Sequence, residues 1–321
     1  MCARSPASAG VIWAPTPGAC GTSSAPCRAT SRADGPLSPV TTERVSPAIL
    51  EMVEFYLPLL VTAGDYARVI QPLVSGPPEK AGQNAWVQAI TDADQSVQTF
   101  LEVATLARFP AAGFYGEEQE QSRNAPYFPL DAATRLWLDP INGTYLYKNQ
   151  RQGWDIILSI TRHDQLLAAI SYMPVQERFN LAIRGYGAFT GDRNSRQVSR
   201  MAPLATVPGS RVCVTYQAQD ALTRLRRDWD AFDIVDDDDP QRDFDNLNDL
   251  FTGRLAAYAS ESADLLDWGA MAFIVTQAGG MASGLDGRPF DGFDSFQLRS
   301  TDLLVAATPA VHAELLATLR L

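Results

Sequence analysis

The chain has 321 residues, of which 46% are hydrophobic, and its formal net charge is −11. This length provides enough core for one large domain or two coupled ones without disulfides or structural metals. The acidic balance, with no stretch that gathers Lys and Arg, argues against a nucleic-acid partner and is typical of a cytoplasmic enzyme. It is also compatible with carboxylates that gather to hold cations.

Cysteine and histidine supply no recognisable site. Three of the four cysteines lie within the first 30 residues, and Cys213 lies in the apolar run "RVCVTY", where an inert buried thiol is expected. His163 and His312 are far apart, with no nucleophile signature beside either. A disulfide framework, a zinc site and a histidine-based triad are therefore not indicated. No uninterrupted apolar run approaches the roughly 18 residues of a membrane helix, so we expect no membrane contact.

Residues 1–45 differ from the rest of the chain. They are rich in Ala, Ser, Pro and Thr and show no hydrophobic periodicity. We predict a disordered tail, or a translation start assigned too far upstream. An Arg- and Ser-rich leader with few acids is also compatible with an organelle transit peptide, which is the alternative to a cytoplasmic location.

Two helices are predicted next in the chain. The apolar spacing of residues 49–74 predicts a helix that Pro58 kinks or divides. After a break rich in Gly and Pro, "TDADQSVQTFL" (91–101) predicts a helix that Thr91 or Asp92 caps at its N-terminus.

Five short apolar runs then predict successive antiparallel strands with hairpin-length connections. The runs are residues 112–118, 134–140, 154–163, 165–174 and 178–189. After a boundary near 202–210 the pattern changes to alternating strands and helices. We predict strands at 211–216 and 302–308 and helices at 218–232, 264–279 and 309–321. The chain is therefore expected to join an α+β half, residues 46–205, to an α/β half, residues 206–321.

Acidic residues lie at the ends of three predicted elements. Glu117 and Glu118 end "FYGEE", Asp139 ends "LWLDP", and Asp267 opens the long helix "DLLDWGAMAFIVTQAG". An acid at a strand end lies at the rim of a sheet, and one at a helix start is favoured by the helix dipole. Each of these acids alone is more often a solvated cap or loop residue. Their joint placement indicates a site for Mg²⁺, which prefers oxygen ligands.

The same segments resemble a known family. "GEE", "WLDPINGT" and "LDWGAMAFIVTQAGG" occur in the order of the motifs of the inositol monophosphatase superfamily of Mg²⁺-dependent, lithium-sensitive phosphatases, whose central signature is D-P-(I/L)-D-G-T. The resemblance extends over roughly residues 50–321. It implies an α+β fold, the layered αβαβα sandwich of the inositol monophosphatase/fructose bisphosphatase type.

The resemblance also implies a set of metal ligands. Glu117, Asp139 and the backbone carbonyl of Ile141 would bind the first ion. Asp139, Asn142 and Asp267 would bind the second. Two or three Mg²⁺ ions are implied, and Mn²⁺ is the alternative metal.

Further roles follow from the same resemblance. Thr144 would help Glu117 to orient the attacking water, and Asp94 would support the metal site through water. The backbone amides of Gly143 and Thr144, at a helix start, would hold the phosphate.

The chain departs from the family pattern at several positions. Asn142 stands where the family has Asp, so one formal charge that would compensate the second cation is missing. Ser260 occupies the position of a substrate-binding Glu in inositol-specific members, and Glu261 follows it. The stretch before Asp267, which normally helps to shape the substrate pocket, differs most. The substrate therefore does not follow from the resemblance.

Two functions are compatible with these residues. The leading hypothesis is a Mg²⁺-dependent phosphomonoesterase that hydrolyses a small phosphorylated polyol, sugar or nucleotide. The resemblance is also compatible with a homodimer, since family members are often dimers. The alternative is a catalytically weakened homologue that binds a phosphorylated ligand or a protein partner, because Asn142 replaces a metal-binding Asp. The presence of Glu117, Asp139, Thr144 and Asp267 favours the enzyme.

Overall fold

The computed structural model describes residues 46–74, 83–194, 198–215, 219–234, 237 and 246–320. The expectations for residues 1–45 lie outside the described residues.

Two long helices open the described part, α1 (Pro47–Val74) and α2 (Gln83–Arg108). Pro58 does not divide α1, because the helix continues through it. The predicted N-cap of α2 is wrong, since the helix already begins at Gln83 and the preceding "QNAWVQAI" contains no helix breaker.

Helix α1 contributes to the core. Its residues Val53, Tyr56 and Leu60 are fully buried in the cluster that covers one face of the first sheet. By length and composition Pro47–Leu73 could also cross a membrane, but 44% of its most apolar window is buried inside the fold, and the core helix of a soluble protein passes the same test. The expectation of no membrane contact stays a prediction.

The first sheet has seven strands in the described residues, and their order in space is their order in the chain. They are β1 (Gly113–Gly116), β2 (Thr134–Asn142), β3 (Asp155–Arg162), β4 (Gln165–Met173), β5 (Arg178–Ile183), β6 (Gly187–Asp192) and β7 (Ser199–Arg200). Strand β1 pairs parallel to β2, whereas the other neighbours are antiparallel. The prediction of antiparallel pairing throughout is therefore wrong for β1 and β2. The long connection of residues 117–133 carries the chain back to the end of the sheet where β1 begins, so β2 runs in the same direction as β1.

The predicted strand 178–189 is a hairpin of β5 and β6. Gly185 and Gly187 have φ values of +76° and +93°, which reverse the chain between the two strands. Side chains with a Cβ rarely adopt this conformation, so the glycines explain the turn. The apolar pattern continues across the turn because both strands are buried, and it conceals the reversal.

The second sheet has the spatial order β11-β12-β10-β8-β9. Its strands are β8 (Arg211–Val214), β9 (Ala231–Asp233), β10 (Leu255–Asp264), β11 (Met281–Ser283) and β12 (Ser300–Ala306). Strands β9, β10 and β11 are absent from the sequence prediction. The predicted helix 218–232 is shorter, because α4 (Gln219–Leu225) ends where the chain turns to bury Phe232 in β9.

The predicted helix 264–279 consists of two parts. A π-helical turn, Leu265–Gly269, precedes α5 (Ala270–Gln277). The last helix is α6 (Pro309–Leu319), and Thr308 caps it by accepting a hydrogen bond from the Val311 amide at 3.2 Å.

Three buried clusters define five layers. Helices α1 and α2 cover one face of the first sheet, α5 lies between the two sheets, and α4 and α6 cover the outer face of the second sheet. Strand β3 shows the division, since Ile156 and Leu158 face α1 and α2 while Ile157 faces α5. The predicted α+β fold with αβαβα layers is confirmed. The division into halves at residue 205 stays a prediction.

A substitution at Phe273 in α5 tests how much the central layer contributes to the stability of the fold. Its side chain is 1% exposed and makes an edge-to-face contact with Phe293, with ring centroids 5.5 Å apart. We expect Phe273→Ala to lower the free energy of unfolding by about 3–5 kcal/mol, because it leaves a cavity between two sheets. Urea unfolding would measure the change. Val69→Ala, at a side chain 70% exposed on α1, is the control and should change it by no more than about 0.5 kcal/mol. Equal losses in the two variants would contradict this account.

Candidate active site

The parallel pairing of β1 and β2 brings two acidic residues to one edge of the first sheet. Gly116 and Leu138 are paired at the end of β1, and the Glu117 amide donates to the Leu138 carbonyl at 3.0 Å. Glu117 and Asp139 are the next residues of the two strands, and their carboxyl groups share a hydrogen bond. Asp139 is buried, whereas Glu117 is open to solvent. This edge is therefore the first half of the candidate site.

Helix α2 adds a third acid. Gly116 lies so close to the helix that a Cβ atom there would come within 2.0 Å of the Gln98 side-chain oxygen. That oxygen accepts a hydrogen bond from the Glu118 amide at 3.0 Å, which holds the end of β1 against α2. Asp94 lies one helical turn before Gln98, on the same face, and is buried. Its carboxyl group therefore faces the edge where β1 ends.

The end of β2 turns the chain into a short helix, α3 (Thr144–Lys148). The pairing of β2 with β3 shifts between Asp139 and Asn142, around Pro140, which has no amide to donate. The Asp139 carboxylate accepts from the Ile141 amide at 3.1 Å, and the Thr144 hydroxyl donates to the Ile141 carbonyl at 3.2 Å. These bonds fix Asp139 and Thr144 on opposite sides of a tight turn.

Gly143 makes this turn possible. Its φ is +84°, and it stands at the N-terminus of α3 with no side chain capping the helix. A Cβ atom would find ordinary contacts at 3.5 Å or more, so backbone conformation, not space, favours glycine at this position.

The π-helical turn brings Asp267 to the site. Asp264 caps the turn by accepting from the Leu266 amide at 3.0 Å, and Asp267 accepts from the Trp268 amide at 2.6 Å. The Tyr258 hydroxyl donates to the Trp268 carbonyl at 2.9 Å, which anchors the turn to β10. Single π turns inside helices are frequent at functional sites.

The four acids interact electrostatically as one cluster. Burial, followed by the charges of Glu117 and Asp267, raises the pKa of Asp139 well above its ordinary value. Burial is also the largest cause that raises the pKa of Asp94 and of Asp267 to about 8. The pKa of Glu117 is raised by loss of water around the carboxyl group. A cation at this site would relieve the repulsion among these carboxylates.

The donor set fits a hard divalent cation. It consists of carboxylates with an amide and a backbone carbonyl nearby. Within the part of the chain that the structure describes, no three acidic, histidine or cysteine side chains surround one point where an ion could bind. Mg²⁺ typically takes only one or two carboxylates from the protein and completes its shell with water and substrate phosphate. The arrangement is compatible with that mode of binding.

Two predicted substrate residues lie apart from the cluster. The Ser260 hydroxyl is buried in β10 and accepts from the Ser262 amide at 3.1 Å. Glu261 is exposed at a bulge of the same strand. In the contacts that the described residues make, neither side chain touches the four acids.

Three residues near the site were missed from the sequence. Asp264 raises the pKa of Glu117, and Lys148 lowers that of Asp94. Asp155, at the start of β3, is fully buried and accepts a hydrogen bond from the Asn142 amide nitrogen at 2.8 Å. A lone acid in the otherwise apolar run "WDIILSI" was the available signal for Asp155.

The raised pKa values predict how the metal-free protein responds to pH. Asp94 has a folded pKa of about 8 against an ordinary 3.8, so the folded state holds the proton more tightly than the unfolded state. Stability is therefore lost as the pH rises from about 4 to about 8. We expect Asp94→Asn to become more stable relative to the wild type along this range, measured as thermal midpoints in a chelator.

Asp92→Asn, at an exposed acid of the same helix, is the matched control and should follow the wild type. Added Mg²⁺ should reduce the fall in wild-type stability. Parallel curves for the wild type and Asp94→Asn would contradict the raised pKa.

Comparison with known proteins places this chain in a family. A model of the inositol monophosphatase family matches residues 74–321. Inositol-1-monophosphatase of Rhizobium meliloti (strain 1021) is 27% identical over 121 residues, which cover 38% of this chain and 44% of that enzyme. The chain thus matches less than half of that relative's length. Glucose-1-phosphate thymidylyltransferase of Streptomyces griseus is 24% identical over 208 residues, or 62% of this chain and 73% of that protein.

Solved structures support the same fold. The extragenic suppressor protein suhB from Bartonella henselae superposes with a TM-score of 0.62 at 17% identity, over 84% of this chain and 100% of that chain. The inositol monophosphatase from Zymomonas mobilis gives a TM-score of 0.61 at 17% identity, over 83% of this chain and 97% of that chain. At 17% identity these structures support the fold and carry no information on the activity of this chain. The match of the family model extends over more than half of the sequence, and the chain belongs to the inositol monophosphatase family.

Proposed function

We propose that this chain is a Mg²⁺-dependent phosphomonoesterase of the cytoplasm that hydrolyses a small phosphorylated polyol, sugar or nucleotide. The observation that carries the proposal is the convergence of four acids from four separate elements. Glu117 and Asp139 come from the ends of β1 and β2, Asp94 from α2, and Asp267 from the π-helical turn. Such a cluster is costly to fold and is explained by cations that neutralise it.

The metal ions would be held by Glu117, Asp139 and the Ile141 carbonyl, and by Asp139, Asn142 and Asp267. When bound, they supply charge neutralisation for the phosphate and a lowered pKa for a nearby water. The side chains of this chain then position the reactants, which is the main task of the protein in phosphoryl transfer.

Glu117 and Thr144 are suited to orient the attacking water. Glu117 is exposed as a residue, but partial burial of its carboxyl group raises the pKa, so it accepts a proton more readily than an ordinary glutamate. The Thr144 hydroxyl lies at the start of α3, where it donates to the Ile141 carbonyl. A carboxylate that accepts and a hydroxyl that can accept or donate together fix both hydrogens of one water.

The phosphate would bind to the backbone amides of Gly143 and Thr144. Helix α3 begins at Gly143 without a side-chain cap, and the left-handed conformation of Gly143 directs the chain into the helix beside Asp139. Strand β10 presents Glu261 at its bulge, three residues before Asp264, which lies near Glu117. We assign Ser260 and Glu261 to the substrate side on this placement.

Removal of the Glu117 charge tests the catalytic role. We expect Glu117→Gln to lower the rate of phosphate release by about 10²–10⁴-fold, because the water loses its proton acceptor. The wild type would be screened with inositol monophosphates, glucose 1-phosphate, sugar bisphosphates, histidinol phosphate and adenosine bisphosphate across Mg²⁺ and Mn²⁺ concentrations. Glu120→Gln, at an exposed acid of the next turn, is the control and should keep the wild-type rate. Absence of metal-dependent turnover in the wild type would refute the proposed function.

A pair of glycine variants tests the phosphate site. Gly143 and Gly185 both have positive φ, at +84° and +76°, and neither has a neighbour closer than 3.5 Å to an added Cβ. Alanine at either position should cost about 1–2 kcal/mol of stability. Only Gly143→Ala should also weaken inhibition by the product phosphate, because it shifts the amides at the start of α3. Equal inhibition in the two variants would remove this segment from the phosphate site.

A further inference from the structure

Asp155 and Asn142 are cross-strand partners at the beginning of β3 and the end of β2. The Asn142 amide nitrogen donates to Asp155 Oδ1 at 2.8 Å. The amide is planar, so this bond leaves its carbonyl oxygen on the other edge of the group. From this geometry, and resting on the proposed function, we infer that Asp155 is a positioning residue that holds Asn142 with its oxygen toward the metal site and supplies the negative charge missing at position 142.

The environment of Asp155 requires a carboxylate. The side chain is fully buried, and both of its oxygens accept hydrogen bonds. Oδ1 accepts from Asn142 and from Asn246 at 3.0 Å. Oδ2 accepts from Ser171 at 2.5 Å and from Asn248 at 3.0 Å. All four donors are neutral, so the network surrounds an anion without cancelling its charge.

This network explains why position 142 carries an amide. Aspartate there would bring a second carboxylate within 2.8 Å of Asp155, with no hydrogen between the two oxygens. Two like charges at that distance in a buried site repel strongly. Asparagine instead donates to Asp155. The negative charge that the family carries at position 142 is carried here by Asp155, the cross-strand partner of that position.

The same bond strengthens Asn142 as a ligand. A hydrogen bond from the amide nitrogen to an anion polarises the amide and makes its carbonyl oxygen more negative. Groups behind a metal ligand fix its orientation and raise its basicity in this way. Asn142 backed by Asp155 therefore substitutes in part for the charge of an aspartate.

A purely structural role for Asp155 makes a different prediction. The Asn248 side-chain oxygen also accepts from Asn180 at 2.8 Å, and Ser171 donates to Asp155, so the network joins β3, β4 and β5 to the turn at Leu247–Phe251. If Asp155 only held these segments together, its partners Asn142 and Asn246 would be equivalent. The inference makes them different, because only Asn142 stands at the metal site.

Two matched pairs of variants separate these possibilities. Asn142→Asp and Asn246→Asp each place a second carboxylate against Asp155 Oδ1. Each is combined with Asp155→Asn, which restores a donor and acceptor pair. Thermal midpoints are measured in a chelator and then against Mg²⁺ concentration, for the wild type, the three single variants and the two double variants.

Both aspartate variants should lower the midpoint in the chelator by several degrees, and both double variants should regain most of that loss. Where Asn142→Asp does not yield folded protein, recovery of folded protein in Asn142→Asp/Asp155→Asn is the same result. Asp155→Asn alone should raise the Mg²⁺ concentration for half of the thermal shift by about tenfold or more. Asn142→Asp/Asp155→Asn should return it to the wild-type value or below, whereas Asn246→Asp/Asp155→Asn should leave it raised.

Three outcomes would overturn the inference. The first is an Asn142→Asp protein as stable as the wild type in the chelator. The second is a double variant at position 142 that recovers no stability. The third is an equal Mg²⁺ response of the two double variants. A wild type that does not respond to Mg²⁺, while the stability cycle still couples positions 142 and 155, would refute the proposed function and the metal-directed part of the inference, and would leave the side-chain pairing intact.

Discussion

The burial of both faces of both sheets is the constraint on which the site depends. The strands lie between helices on both sides. Helices α1 and α2 cover one sheet, α5 lies between the sheets, and α4 and α6 cover the other, so most strand residues are buried. In such a fold, polar chemistry is restricted to the ends of strands and to the turns that follow them. Glu117, Asp139 and Asp267 all occupy such positions. The site is thus a consequence of how the layers close.

Repulsion among the acids is the second determinant. Burial is the largest cause of their raised pKa values, and the negative charges of Glu117, Asp267 and Asp94 raise the pKa of neighbouring acids further. The fold tolerates this because parallel strand ends, a helix face and a π turn hold the groups in place independently. A divalent cation that binds the cluster would neutralise these charges and stabilise the folded protein. Stability without ligand and affinity for the ligand are therefore opposed in this site.

The contact between Asn142 and Asp155 alters the meaning of a motif. By sequence alone, Asn142 indicates a weakened second metal site, because the central signature lacks one acid. In the structure the Asn142 amide donates a hydrogen bond to the buried carboxylate of Asp155, and the motif sequence alone does not predict this contact. A substitution within a motif is therefore best judged together with the residue across the strand pair, since charge can move between the two.

The sequence by itself determined the strands β2, β3 and β4, the presence of the two long helices α1 and α2, and the order of the family motifs. These features depend on local spacing and on residue types, as in "LWLDPINGT", where Pro140 and Gly143 fix the turn after the acid. It did not determine the parallel pairing of β1 with β2, which depends on where a long connection returns. Nor did it reveal Asp264 and Asp155, whose partners lie on distant segments.

Only the tertiary structure decided which polar residues meet. Asn246 and Asn248 reach Asp155 from some 90 residues away in the chain, at separations of 91 and 93 positions. The sequence alone therefore predicted the acids of the site, and the packing of the two sheets determined the charges and donors that surround them. The physical reason is that hydrophobic periodicity and turn residues act over a few positions, whereas desolvation and hydrogen bonding depend on whatever the fold brings into contact.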